Sequence, residues 1–281
     1  MYKIDKILSS SISVQIDQLD LPQVASSGQC FRWYPRNAHN YVIVHQSRIL
    51  KIQQLPFDNL FIFDCSKQEF DEVWKDYFDL DSDYQRYLDA VYKSKDRFLL
   101  SAISYGMGIR ILNQDPWEAL ITFIISQQNN IPRITGIIDR LCRVCGDPIG
   151  EAYGEVMYSF PSAEQIMDHY KSLKSIGVGF REKYILDACR KINAGYDLEQ
   201  LRSFSAEDAV RELKKFYGVG DKVANCVSLF GLDHKEAFPR DVWINRIIDK
   251  YYGGEFDTSR FEGFSGVIQQ YMFHYERMIR D

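Results

Sequence analysis

No stretch of the sequence approaches the roughly 18 uninterrupted apolar residues that a membrane-spanning helix needs. The longest strongly apolar run in a helical pattern, 119–126, is interrupted by Thr122. Met1-Tyr-Lys-Ile-Asp5 does not open a signal peptide, and no arginine-rich transit segment follows. The expectation is a cytoplasmic protein (nucleoid-associated in a prokaryote) with no membrane partner. Cysteine is sparse: six residues in an unexported chain of this size do not make a disulfide framework. Cys142 and Cys145 form a CxxC, but no second close pair accompanies them, so buried or idle thiols are expected. The five histidines (His39, His45, His169, His234, His274) show no HExxH-like spacing. No catalytic metal and no cofactor are expected. Low-complexity segments are absent too.

Net positive charge is also missing. With 34 basic and 39 acidic residues the chain carries −5, which excludes a generic basic nucleic-acid binder. The charge is uneven, however. Residues 58–89 hold ten acidic against three basic residues, whereas 171–222 hold eleven basic against eight acidic. An acidic lobe beside a mildly basic one is compatible with DNA bound on one face only.

What remains is an ordinary globular composition, 46% hydrophobic and 26% charged, over 281 residues. Ile12, Val14 and Ile16 alternate with polar residues, and Tyr41–His45, Ile49–Ile52 and Phe61–Phe63 are further β-rich runs. Gly28 and Tyr34-Pro-Arg-Asn37 are expected to be turns between them. Helices are expected near 68–78 and 84–92. Beyond Gly108 the signals are helical: Asp115-Pro-Trp-Glu118, Ser162-Ala-Glu-Gln165 and Ser205-Ala-Glu-Asp208 are helix starts. The reading is α+β, with a β-rich domain over 1–105 and a helical domain over 106–281.

Two GVG turns, Ile176–Phe180 and Tyr217–Asp221, stand where helices open. Such glycines serve either as plain helix–helix connections or as places where backbone N–H groups approach an anion. Lys222 follows the second, in the first turn of its helix, where a positive charge is disfavoured and a neutral, nucleophilic amine is favoured. A solvated surface lysine is the plain alternative. Asp241, in Phe238-Pro-Arg-Asp-Val-Trp243, is either a helix N-cap or something rarer.

The stretch Leu213–Phe230 followed by Ala237-Phe-Pro-Arg-Asp241 resembles the helix-hairpin-helix, Gly/Pro-rich loop and aspartate signature of DNA glycosylases. With Ser27-Gly-Gln-Cys-Phe-Arg-Trp33, Gln114-Asp-Pro-Trp117, Ser126–Gly136 and Gly177–Tyr184, it is similar more narrowly to the 8-oxoguanine branch. The resemblance implies an antiparallel β-domain, like half of the TATA-binding-protein fold, packed on a two-part helical domain whose hairpin spans about 211–230. It implies a monomer acting on double-stranded DNA that contains 8-oxoguanine. Lys222 matches the nucleophile and Asp241 the essential aspartate of a combined glycosylase and abasic-site lyase.

For the damaged base the resemblance assigns Gly28, whose carbonyl would accept from the lesion's N7–H, and Cys226 and Phe273 as the sandwich. Pro239 lines the same pocket. Gln269 matches the reader of the Watson–Crick edge, with Gln270 as a rival. Gln128, Arg133 and Arg181 stand at the opposite-base positions and Phe180 at the wedge. Gly218, Gly220, Val223 and Trp243 match phosphate contacts, and a structural monovalent cation on the hairpin carbonyls is implied. The sequence departs from the eukaryotic pattern at Gln128 (asparagine), Phe180 (tyrosine) and Trp243 (histidine), and at Tyr217 (proline) in the hairpin. Arg240 is an unusual neighbour for Asp241. Two alternatives stay open: a glycosylase for another damaged base, and a catalytically silent DNA-binding module.

Overall fold

The computed structural model describes residues 1–56 and 59–279. The chain forms two compact units, each discontinuous in sequence. The first comprises Met1–Val42, Leu50–Asn113 and Lys235–Asp281, and the second Ile43–Ile49 and Gln114–His234.

A six-stranded sheet runs in the order β1 (Tyr2–Ile7), β2 (Ile12–Ile16), β6 (Leu60–Phe63), β5 (Arg48–Gln54), β4 (Asn40–His45), β3 (Trp33–Asn37). Its central pairs are antiparallel, Val14 opposite Phe61 and Ile52 opposite Phe63, and the alternation of the sequence puts Ile12, Val14, Ile16, Phe61 and Phe63 entirely inside. Phe63 meets Phe70 and Phe78 edge to face at 5.1 and 5.6 Å, joining the sheet to the helical stretch that follows. That stretch, expected as one helix over 68–78, consists of Lys67–Glu69, a π-helical Phe70–Trp74 and Lys75–Tyr77.

One expectation is corrected. Tyr34–Asn37 is strand, not turn. Proline lacks the N–H that a central strand needs, but β3 is the edge strand, where Pro35 is tolerated. The turn comes after it, at Ala38-His39.

Arg110 is fully buried in this first unit. Its guanidinium lies 4.4 Å over the Tyr84 ring and donates to the carbonyls of Gln18, Asp79 and Asp17 at 3.0, 2.6 and 3.0 Å. A buried guanidinium needs such acceptors, because an unpaired one costs several kcal/mol. It thereby ties the strand end to the helical segments.

The second unit is helical apart from the β7 (Pro148–Ala152) and β8 (Glu155–Tyr158) hairpin. Its helices start where the side chains allow: Asp115 accepts from the Glu118 N–H at 2.8 Å, Ser162 and Gln165 form a reciprocal capping box, and Ser205 accepts from Asp208. Pro116–Ile125 is buried along almost its whole length and packs on Asp221–Gly231 through stacked Phe123 and Phe230. Gly231 sits where a Cβ would come within 2.9 Å of Ala119 Cβ, so the close approach of the two helices requires it. Among the described residues no helix is long and apolar enough to cross a membrane.

Candidate active site

In the second unit, Ala206–Leu213, a turn and Asp221–Gly231 form the helical hairpin. Gly218 has φ +81°, and a Cβ there would fall 2.3 Å from the Tyr184 ring. Only glycine satisfies both conditions. Tyr184 meets Tyr217 edge to face at 5.0 Å, while Asp187 accepts from the Tyr217 N–H at 2.8 Å. The turn is thus braced from the Glu182–Asn193 helix. Gly220 is the N-cap of Asp221–Gly231 and supplies no side-chain cap, so the helix presents its first N–H groups with a favourable dipole for an anion.

Lys222 is half-buried. Its Nζ donates to Ser126 Oγ at 3.1 Å and lies 5.3 Å from the centre of the Phe123 ring. Ser126 gives its own hydrogen to the Phe123 carbonyl at 2.8 Å. The serine therefore meets the amine as an acceptor. Cys226 lies one turn further along the same helix and is buried, as is Val223.

The 126–130 turn and the first GVG turn are bound to each other. Arg181, only 2% exposed, donates to the carbonyls of Gln127 (2.9 Å), Gln128 (3.1 Å) and Val178 (3.2 Å). Burial, and then the charge of Arg133, push its pKa below the usual arginine value. Gln128 itself is exposed in a left-handed conformation, φ +48°. Arg133 is exposed, and Phe180 is 47% exposed with the Arg181 guanidinium 4.6 Å from its ring. Of the opposite-base residues expected from sequence, Arg181 is thus mostly engaged with backbone, while Gln128, Arg133 and Phe180 are presented to solvent. The first GVG also differs from expectation: Gly177 (φ +94°) closes Leu173–Ile176, and a 3-10 turn intervenes before the next helix. Arg140 takes part there by donating to the Ile176 carbonyl.

In the first unit, Asp241 caps Val242–Tyr252, Oδ1 accepting from the N–H groups of Trp243 and Ile244 at 2.9 Å each. Both cap bonds fall on one oxygen, so the cap itself does not use Oδ2. Trp243 is half-buried, with Arg246 5.6 Å from its ring, and Pro239 is buried. In Ser265–Met278, Gln269 is 4% exposed and its Oε1 has no hydrogen-bond partner. Gln270 instead donates to the Ser27 carbonyl at 2.8 Å. Phe273 is half-buried beside Arg277. Gly28 has φ +80°.

All six cysteines are buried thiols outside any disulfide, and burial pushes the Cys145 thiol up to about 11, far from a reactive thiolate. Among the described residues no group of three His, Cys, Asp or Glu side chains could hold a metal. At the hairpin, the carbonyls of Leu213, Phe216 and Gly220 accept backbone N–H groups.

A lysine after an uncapped glycine turn and an aspartate capping the next long helix, nineteen residues on, define a helix-hairpin-helix repair protein. Residues 121–260 match the family described as HhH-GPD superfamily base excision DNA repair protein, and residues 11–120 match the 8-oxoguanine DNA glycosylase N-terminal domain. The N-glycosylase/DNA lyase of Saccharomyces cerevisiae is 32% identical over 270 residues, covering 86% of this chain and 70% of the yeast protein. Among solved structures, MBOgg1 with a low-affinity DNA ligand is 35% identical with a TM-score of 0.91, covering 100% of both chains. The Clostridium acetobutylicum 8-oxoguanine glycosylase/lyase, solved with DNA carrying cytosine opposite 8-oxoguanine, is 32% identical with a TM-score of 0.90 over 100% of this chain and 99% of that one. The chain belongs to the 8-oxoguanine DNA glycosylase family.

Ser126, Tyr184 and Asp187 were not singled out in the sequence. Ser126 lies 96 residues from Lys222, and no local pattern announces their contact.

Proposed function

We propose that this enzyme excises 8-oxoguanine from duplex DNA, preferentially opposite cytosine, and then nicks the strand, with Lys222 as nucleophile and Asp241 assisting. The damaged base cannot be attacked inside the stack and is flipped out. The Lys222 lone pair forms a bond to C1′ as the glycosidic bond breaks, and the departing base takes a proton. The attached amine loses one proton, and its lone pair then opens the sugar ring, O4′ leaving with a proton, to give a Schiff base that keeps one N–H and is cationic. That cationic imine acidifies C2′–H, and loss of this proton expels the 3′ phosphate in β-elimination. Asp241 stabilises the positive charge that develops at the sugar and orients the amine.

The observation that carries this reading is the setting of Lys222: half-buried, after an uncapped glycine turn, and held by a hydrogen bond to Ser126 Oγ. The unpartnered Oε1 of Gln269 supports Gln269 over Gln270 as the reader, since guanine-type bases offer N1–H and N2–H donors. Gly28 reads N7–H, and Cys226, Pro239 and Phe273 enclose the base. Gln128, Arg133 and Arg181 select the opposite base, with Phe180 as wedge. Gly218, Gly220, Val223 and Trp243 hold phosphate. The protein acts as a cytoplasmic monomer over domains 1–105 and 106–281, with a monovalent cation stiffening the hairpin.

Single-turnover excision on duplexes carrying 8-oxoguanine opposite each of the four bases tests the reading. Fastest excision opposite cytosine, with no excision of guanine, is expected. Equal rates on 8-oxoguanine and guanine, or excision of alkylated bases alone, contradict it.

A further inference from the structure

Ser265–Met278 carries two neighbouring stripes. Gln269 and Phe273, four residues apart, make one. Gln270, His274 and Arg277, at i, i+4 and i+7, make the next. Every member of the second stripe bonds one short segment of chain. Gln270 Nε2 donates to the Ser27 carbonyl at 2.8 Å, His274 Nε2 meets Gln23 Oε1 at 2.7 Å, and Arg277 donates to the Ser26 carbonyl.

That segment runs directly into Gly28, whose φ of +80° lies in the left-handed region. Beyond the glycine, Gln29 is fully buried and bonded on three sides. Its Nε2 donates to Ser27 Oγ and to the Arg110 carbonyl, each at 2.9 Å, and its Oε1 accepts from the Leu112 N–H at 2.8 Å. Ser27 Oγ in turn donates to the Val24 carbonyl at 2.7 Å. Gly28 therefore hangs between two residues whose positions are fixed by buried hydrogen bonds.

We propose that Gln270 is a positioning residue for base selection: it fixes the Ser27–Gly28 peptide against the helix that presents Gln269, and so sets where the Gly28 carbonyl meets the lesion. The proposal rests on the 8-oxoguanine reading above. At N7 the lesion differs from guanine by a hydrogen: a donor in one, a lone pair in the other. A carbonyl placed there attracts the first and repels the second, and both effects fall steeply with distance and angle. Selectivity then depends on how stiffly that carbonyl is held. Gln270 spends its Nε2 donor on the Ser27 carbonyl rather than on the base. One helix thus fixes the spacing between both groups that inspect the base.

The test compares Gln270→Met and wild type under single-turnover conditions on two duplexes, one with 8-oxoguanine opposite cytosine and one with a preformed abasic site. Methionine keeps the volume and removes the donor. Excision of 8-oxoguanine should fall about tenfold, since a buried carbonyl loses its partner. Nicking of the abasic duplex, which has no base to inspect, should stay within about twofold. Gln270→Asn, with the amide withdrawn by one methylene, should show the same selective loss. Parallel loss on both substrates in both variants assigns Gln270 a purely structural role and overturns the proposal, as does unchanged excision. A wild-type enzyme that treats guanine and 8-oxoguanine alike overturns it through the substrate reading, a failure visible without any variant.

Discussion

Two glycine turns of this protein are built in opposite ways. The Gly28 segment is held from four directions: the Val24 carbonyl and the side chains of Gln29, Gln270 and Arg277 all bond its neighbours. The 218–220 turn is braced by the Tyr184 ring, the Asp187 carboxylate and buried Val219, and is open at Gly220, where a Cβ would meet nothing within 4 Å. On the function proposed above, the difference follows from what each turn does. A phosphate is gripped by any N–H groups that point at it, and a backbone that yields slightly still binds. Telling two bases apart by one hydrogen needs a carbonyl that does not move.

The comparison can be broken or sharpened by substitution. The largest effect is expected at Asp241, which belongs to neither turn and separates chemistry from scaffold. Asn caps a helix as well as Asp, so Asp241→Asn should leave the melting temperature almost unchanged while excision falls roughly a thousandfold. Asp241→Ala should lose the cap as well, about 1 kcal/mol in chemical denaturation. Asp241→Asn with near wild-type turnover would reduce the aspartate to a cap.

Next comes Gly218→Ala, which meets the Tyr184 ring at 2.3 Å and a φ of +81°. Roughly 3 kcal/mol of stability should be lost, with weaker DNA binding in a titration.

The closed side can be loosened by acid. His274 is 1% exposed; burial first, and then Arg277, lower its pKa to about 4. Gln23 and the Tyr105 ring are its other neighbours. Because the folded pKa lies below the unfolded value of 6.5, the unfolded chain takes up the proton first. Stability is full above about pH 6.5 and falls as pH drops towards 4, by roughly 3 kcal/mol in all. Melting curves across that range, compared with His274→Gln, should show this component disappear in the variant.

Smaller effects belong to the open side. Ser126→Ala should slow Schiff-base formation on an abasic duplex about tenfold with DNA affinity unchanged, and Ser126→Thr should restore most of it. Gly220→Ala has open space and φ −98°, so its stability should change by less than about 0.5 kcal/mol. A loss as large as that of Gly218→Ala would mean the turn is not open.

What the sequence made legible was local. Asp115, Ser162, Ser205 and Asp241 announced their helices because a cap is a contact within three residues. Lys222 and Asp241 stand out because their motif carries them, and their chemical roles belong to the function proposed above. Tyr34–Asn37 misled because Pro35 reads as a turn until the strand is known to be an edge. Gln269 and Gln270, adjacent on one helix, are told apart by a bond from Gln270 to a carbonyl 243 positions away, which no local pattern announces. Arg181 was assigned to DNA from its motif, while its bonds to Gln127 and Gln128 arise only when two turns meet in the fold.

The central claim, that Lys222 attacks the sugar, is tested most directly by borohydride trapping on a duplex with one 8-oxoguanine opposite cytosine. Wild type should give a covalent protein–DNA adduct, and Lys222→Gln, folded as judged by its melting curve, should give none. Base excision by wild type without any adduct, or an adduct that persists in Lys222→Gln, would contradict the account.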